Sequence, residues 1–111
     1  MGAQGSGREQ GFMSMRLSVP SNETRYLSFL TEGKEGVLFV GGASNKRSIY
    51  LFGSTSSGNV NLVPAFEPAS MSITVSASGN VITLANGSTA ARILVLMSYG
   101  ALPSVQTTLP A

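Results

Sequence analysis

Residues 72–87 read Ser-Ile-Thr-Val-Ser-Ala-Ser-Gly-Asn-Val-Ile-Thr-Leu-Ala-Asn-Gly, and this stretch decides the fold class. Met71, Ile73 and Val75 alternate with Ser70, Ser72, Thr74 and Ser76, which puts the apolar set on one face of a pleated strand. Gly79-Asn80 then supplies turn chemistry before Val81-Ile82-Thr83-Leu84 resumes the extended pattern. Asn86-Gly87 offers the residue types that best tolerate positive φ, so a tight hairpin is expected there. Arg92 to Met97 returns as a strand that is apolar on both faces. The three strands are expected to form a meander.

Working outward, the same short period continues and no segment holds a 3.6-residue repeat for three turns. Met13, Met15, Leu17 and Val19 alternate with Ser14, Arg16 and Ser18 up to Pro20-Ser21-Asn22. Tyr26 to Leu30 is a further strand candidate, although Leu27 and Leu30 would also suit one helical turn. Glu32 to Gly36 looks like a polar hairpin tip. Val37 to Val40 ends at Gly41-Gly42, Ser48 to Phe52 ends at Gly53, and Asn59 to Val63 stops at Pro64. Seven or eight short strands at this spacing predict an all-β protein, a single antiparallel β-sandwich or jelly-roll-like domain. Residues 1–11 read as a flexible Gly-rich arm, residues 12–111 as the domain, and the chain from about 103 as an uncharged tail.

Composition narrows the function. Hydrophobic residues make up 42% of the 111, enough for one core, whereas only 11% are charged against roughly 25% in ordinary soluble proteins. Two explanations of the sparse charge stand side by side. Subunit contacts can cover much of the exterior, or a Ser/Thr coat can replace charge on a β surface. The net charge of +2 comes from scattered cations, with Lys46-Arg47 the only adjacent pair, so no nucleic-acid footprint is present. The longest apolar run, Ile93 to Met97, is far below the roughly 20 residues of a membrane span. Met1 to Gln10 lacks the apolar stretch of a secretory signal.

The residues also argue against enzyme chemistry. The chain has no His, no Cys and no Asp, so a Ser or Thr nucleophile lacks its usual activator and a metal lacks imidazole and thiolate ligands. The five acids are all Glu, placed singly in the arm or in turns, with Glu67 between Phe66 and Pro68, where a solvated turn charge is the plainer reading. No catalytic, cofactor or metal site is therefore predicted. One surface group stands out: Asn45, Lys46 and Arg47 on a loop between strands, with Tyr50 just inside the next. It suits a sugar or an acidic patch through hydrogen bonds and stacking. A polar hairpin tip with a core-facing Tyr50 is the favoured alternative.

Gly36-Val-Leu-Phe-Val-Gly-Gly, Ser48-Ile-Tyr-Leu-Phe-Gly, the 72–87 stretch and Arg92-Ile-Leu-Val-Leu-Met together carry a resemblance. In pattern, residues 36–99 resemble the small β-sandwich modules that end bacteriophage and prophage tail fibres. The resemblance implies a non-enzymatic virion module, homo-oligomeric with a trimer favoured, that contacts a host-surface glycan or protein receptor. It equally admits a decoration module, since a Met and a short arm stand where those tips follow a long shaft. Within it, Leu94 and Leu96 are assigned to the oligomer interface, because a sandwich covers only one face of a strand apolar on both. The arm or the tail folding across that face is the intramolecular alternative. A monomeric bacterial carbohydrate-binding or adhesin-like β-domain is the second class of function.

Overall fold

Period-two patterning produces strands throughout the computed structural model, which describes residues 12–29, 35–43, 46–55, 59–67, 73–99 and 102–109. Among the described residues nine strands follow in order: β1 (Phe12–Val19), β2 (Thr24–Ser28), β3 (Glu35–Ala43), β4 (Lys46–Ser54), β5 (Val60–Phe66), β6 (Ile73–Ser78), β7 (Val81–Asn86), β8 (Arg92–Tyr99) and β9 (Ser104–Gln106). They form two antiparallel sheets, β1-β8-β3-β4-β5 and β6-β7-β2-β9. The expected all-β sandwich is therefore present, with nine strands rather than seven or eight. The arm to Gly11 lies outside the described residues.

The inner faces meet in one core. Leu27, Ile73, Ile82 and Leu84 of the smaller sheet pack against Leu38, Val40, Tyr50, Phe52, Leu94 and Leu96 of the larger. Each fully buried aliphatic side chain contributes about 1.5–3 kcal/mol relative to exposure. Phe29, just past β2, brings its ring to 5.3 Å from that of Phe52 and links the layers. Gly36 is required by close approach: a Cβ there would run into the Met97 carbonyl oxygen and the Phe52 ring.

Two turns fix the sheets to each other. At the β6–β7 turn, Gly79 has φ +58° at the first central position, the pattern of a type II′ hairpin. Its carbonyl accepts the Val60 N–H at 2.8 Å, and the Asn80 carbonyl accepts the Phe29 N–H at 2.9 Å. At the opposite end of β7 the expected hairpin is absent. Neither Asn86 nor Gly87 has positive φ, and β8 leaves β7 to enter the other sheet between β1 and β3. The meander thus stops after β7. Asn86 is instead a buried pin. Its amide nitrogen lies 3.0 Å from the Val19 carbonyl, 3.1 Å from that of Pro20 and 3.0 Å from that of Ala90, while its side-chain oxygen accepts the Ser88 N–H at 3.0 Å.

The strand expected from Tyr26 is present, as β2 over Thr24–Ser28. Two further expectations are corrected. β5 continues through Pro64, which an edge strand tolerates because its free side needs no N–H donor. The tail supplies β9, which pairs with β2 at the edge of the smaller sheet rather than crossing β8.

Asn86→Ala should destabilise the fold by on the order of 2 kcal/mol, since it strands the buried Val19 carbonyl and the part-buried carbonyls of Pro20 and Ala90. Gly87→Ala should stay within about 0.5 kcal/mol, because no left-handed backbone is needed there. Urea-denaturation midpoints of the two variants check both expectations.

Candidate functional site

The register of the five-stranded sheet determines what each side presents. Leu94, Leu96 and Ser98 of β8 point inward, so Ile93, Val95, Met97 and Tyr99 point outward. Pairing extends that outer set across the sheet. Val95 lies beside Phe39, Phe39 beside Ile49, and Ile49 beside Phe66. In the next row Met97, Val37, Leu51 and Val63 stand in line. Phe39 and Val95 are more than a third exposed, Leu51 and Val63 nearly half, and Phe66 more than half. This is a two-row apolar patch four strands wide. Arg16 and Ser14 of β1 border it, and Glu35 sits over Gly53 at one end.

The smaller sheet is the contrast within the same molecule. Its outer positions are Thr74, Ser76 and Ser78 on β6, Thr83, Ala85 and the buried Val81 on β7, Thr24, Tyr26 and the buried Ser28 on β2, and Ser104 and Gln106 on β9. Hydroxyl and amide groups coat that face. The two outer faces therefore differ: one sheet is rich in hydroxyls, and the other presents apolar surface.

The interface assignment to Leu94 and Leu96 is corrected by this geometry. Both are core residues, 1% and 2% exposed, and the open face of β8 is the Ile93-Val95-Met97 set. Alternation alone separates the two faces but does not say which one the opposite sheet covers. The proposed ligand group also divides. Asn45 lies outside the described residues, the Lys46 backbone pairs with Ala43 across the tip, and Arg47 is exposed. Tyr50 is on the inner face of β4, only 1% exposed, so it does not join Arg47.

A different partner claims Tyr50. Its phenol donates to Glu67 Oε2 at 2.5 Å, so the carboxylate just past β5 is held against the sandwich. Burial first, and then Glu67, pushes the phenol up to about 12 from 10.0. Ser48 tempers that rise, although its Oγ makes no hydrogen bond of ordinary geometry. Glu67 was legible only indirectly: a core Tyr needs a partner for its hydroxyl, and the sequence does not say which one.

Tyr50 and Glu67 stand at a cleft of about 310 Å³ between β5 and β6, the adjacent edge strands of the two sheets. Leu62 and Pro64 line it from β5, and Val75 and Ala77 from β6. Both strands have no further neighbour in their sheets, so backbone groups border the opening. Among the described residues no three acids gather closely enough to hold a metal.

No protein-family model matches the chain, and no curated protein sequence matches it. Among solved structures, the fold is similar to part of the tailspike protein gp49 from Acinetobacter baumannii bacteriophage Fri1, a capsular polysaccharide depolymerase. The TM-score is 0.66 at 13% identity, over 93% of this chain and 20% of that one. The likeness is one of fold, and this chain spans about a fifth of that protein's length. A phage tail protein thus contains the same β-architecture, in agreement with the coarse resemblance drawn from the sequence.

The Tyr50 phenol gives a pH-dependent term with a definite sign. Its pKa is raised on folding, so the associated stability is complete below about pH 10 and is lost as pH rises towards 12. The loss is on the order of 2 kcal/mol. Tyr50→Phe should flatten that alkaline limb relative to the parent chain, as read from melting temperatures between neutral pH and about pH 11.

Proposed function

We propose that this chain is a non-enzymatic module of a phage tail, acting in receptor binding or decoration and assembling with copies of itself through the outer face of its larger sheet. The apolar patch of Val95, Phe39, Ile49, Phe66, Met97, Val37, Leu51 and Val63 carries the reading. Contiguous apolar surface of this kind marks an interaction site, and the polar coat of the other sheet argues against a general tolerance for bare hydrophobics. A trimer is the stoichiometry that the tail-fibre resemblance favours. The virion is the location that follows from it.

Two observations support the non-enzymatic part. The sequence has no His, Cys or Asp, and Glu67 is the one carboxylate among the described residues lining the β5–β6 cleft. Paired-carboxylate hydrolysis needs a second. The fold likeness is to a depolymerase, but it covers a fifth of that chain and carries no catalytic residue across. A monomeric carbohydrate-binding β-domain is the second reading, favoured by the cleft itself.

Light scattering tests the assembly. The wild-type chain should run at a multiple of its monomer mass, and Phe39→Lys with Val95→Lys should run as a folded monomer, because each introduces charge into a face outside the core. A wild-type monomer at high concentration would overturn the assembly reading and leave the monomeric binding domain in its place.

A further inference from the structure

We infer that the β5–β6 cleft is a binding site for an uncharged saccharide unit, with Glu67 as its principal hydrogen-bond acceptor. The inference rests on the reading of the chain as a binding module but not on its assembly. The cleft opens between the β5 and β6 edges, whereas the apolar patch covers the outer face of β8, β3, β4 and β5.

Three features define the ligand. First, the volume of about 310 Å³ lies at the lower end of the roughly 300–1,000 Å³ typical of small-molecule sites. It suits one or two sugar rings rather than a long segment. Second, the Glu67 carboxylate is held in place. Tyr50 donates to Oε2, and a phenol pushed up to about 12 remains a donor across the physiological range. The other carboxylate oxygen is left to accept from a ligand hydroxyl, and a bond to an ionised acceptor is stronger than one between neutral groups. Third, the cleft exposes more polar than apolar surface: Asn61, Ser76 and Glu67 share the lining with Leu62, Pro64, Val75 and Ala77. A sugar ring combines an apolar C–H face with hydroxyls at its rim, and that combination matches the lining.

Charge selects within that class. No cation among the described residues lines the cleft, so the Glu67 carboxylate disfavours a uronic or sialic acid. A guanidinium or ammonium group from a protein partner would find the right sign. However, a guanidinium binds best as a fork across both carboxylate oxygens, one of which Tyr50 already engages. An ion pair at an exposed carboxylate is also weak. The saccharide is the better fit.

The test is a backbone-amide NMR titration of the full chain with glucose, galactose, mannose, N-acetylglucosamine and their disaccharides, alongside galacturonic acid and an arginine amide. At least one neutral sugar should shift amides of Asn61, Leu62, Glu67, Val75 and Ala77, and galacturonic acid should be weaker. Glu67→Ala should weaken the neutral sugar about tenfold, and Tyr50→Phe should weaken it less while the amide spectrum stays folded. Shifts by none of the neutral sugars, equal response to galacturonic acid, or stronger response to the arginine amide would each overturn the proposal. Cleavage of a disaccharide during the titration would refute the non-enzymatic reading while leaving the site in place. The Phe39→Lys, Val95→Lys protein should bind as the wild type does, which separates the cleft from the assembly.

Discussion

The side chain of Asn86 is the interaction on which the arrangement of the two sheets depends. At this end the chain passes from β1 to β2 and from β7 to β8, from one sheet to the other each time. The Val19 carbonyl is buried and those of Pro20 and Ala90 are part-buried. Asn86 reaches both crossovers: Val19 and Pro20 in the first, Ala90 in the second. Its backbone N–H also donates to the Glu23 carbonyl at 2.9 Å. A hydroxyl or carboxylate could not do this, because the site needs an NH₂ group and an adjacent acceptor together. Ser21 donating to the Ser88 carbonyl at 2.9 Å closes the same junction.

With one end pinned by Asn86 and the other by the Gly79-Asn80 turn, the facing surfaces have a fixed spacing. Side chains that fill the gap therefore follow from register alone. Leu94 and Leu96 fall inward because Arg92 must pair with Val19 where β1 ends. That same register turns Val95 and Met97 outward, beside Phe39 and Val37. The outer face is thus a geometric consequence of the junction, and its composition is where function has room to act.

Much of this was legible in the chain and some was not, for identifiable reasons. Alternation from Ile73 to Leu84 marks β6, β7 and the turn between them, because one face of each strand is solvated. β8 carries no such contrast, since Ile93 to Met97 are all apolar, so neither its sheet nor its inward face can be read from pattern. Asn86-Gly87 misleads for a related reason. The pair is a common turn signal, and nothing local distinguishes an Asn that adopts positive φ from one whose amide is spent on distant carbonyls. At the functional surfaces, Tyr50 was visible as an aromatic beside a basic tip. Strand parity assigns it to the face opposite Arg47 once the inner side is known. Its link to Glu67, 17 residues away, depends on β5 pairing with β4, a contact no local period encodes.

The sparse charge of the sequence acquires a spatial meaning from the two outer faces. A β-surface exposed to water needs polar groups at alternate positions, and the outer face of the smaller sheet supplies Thr74, Ser76, Ser78 and Thr83, while Arg25 of β2 stands on the opposite face in an ion pair with Glu23. Ser and Thr keep strand propensity while satisfying water, so a low charge count costs that sheet nothing in solubility. The larger sheet departs from the same rule with the same backbone geometry available to it. Its outer positions hold Phe39, Leu51, Val63, Phe66, Val95 and Met97, where Ser or Thr would pair equally well within the sheet. Folding of the isolated chain does not require those choices, because the core lies on the opposite face. In the assembly proposed above, another copy covers them, and Arg16 at one border and Glu35 at another supply opposite signs at the rim of that contact.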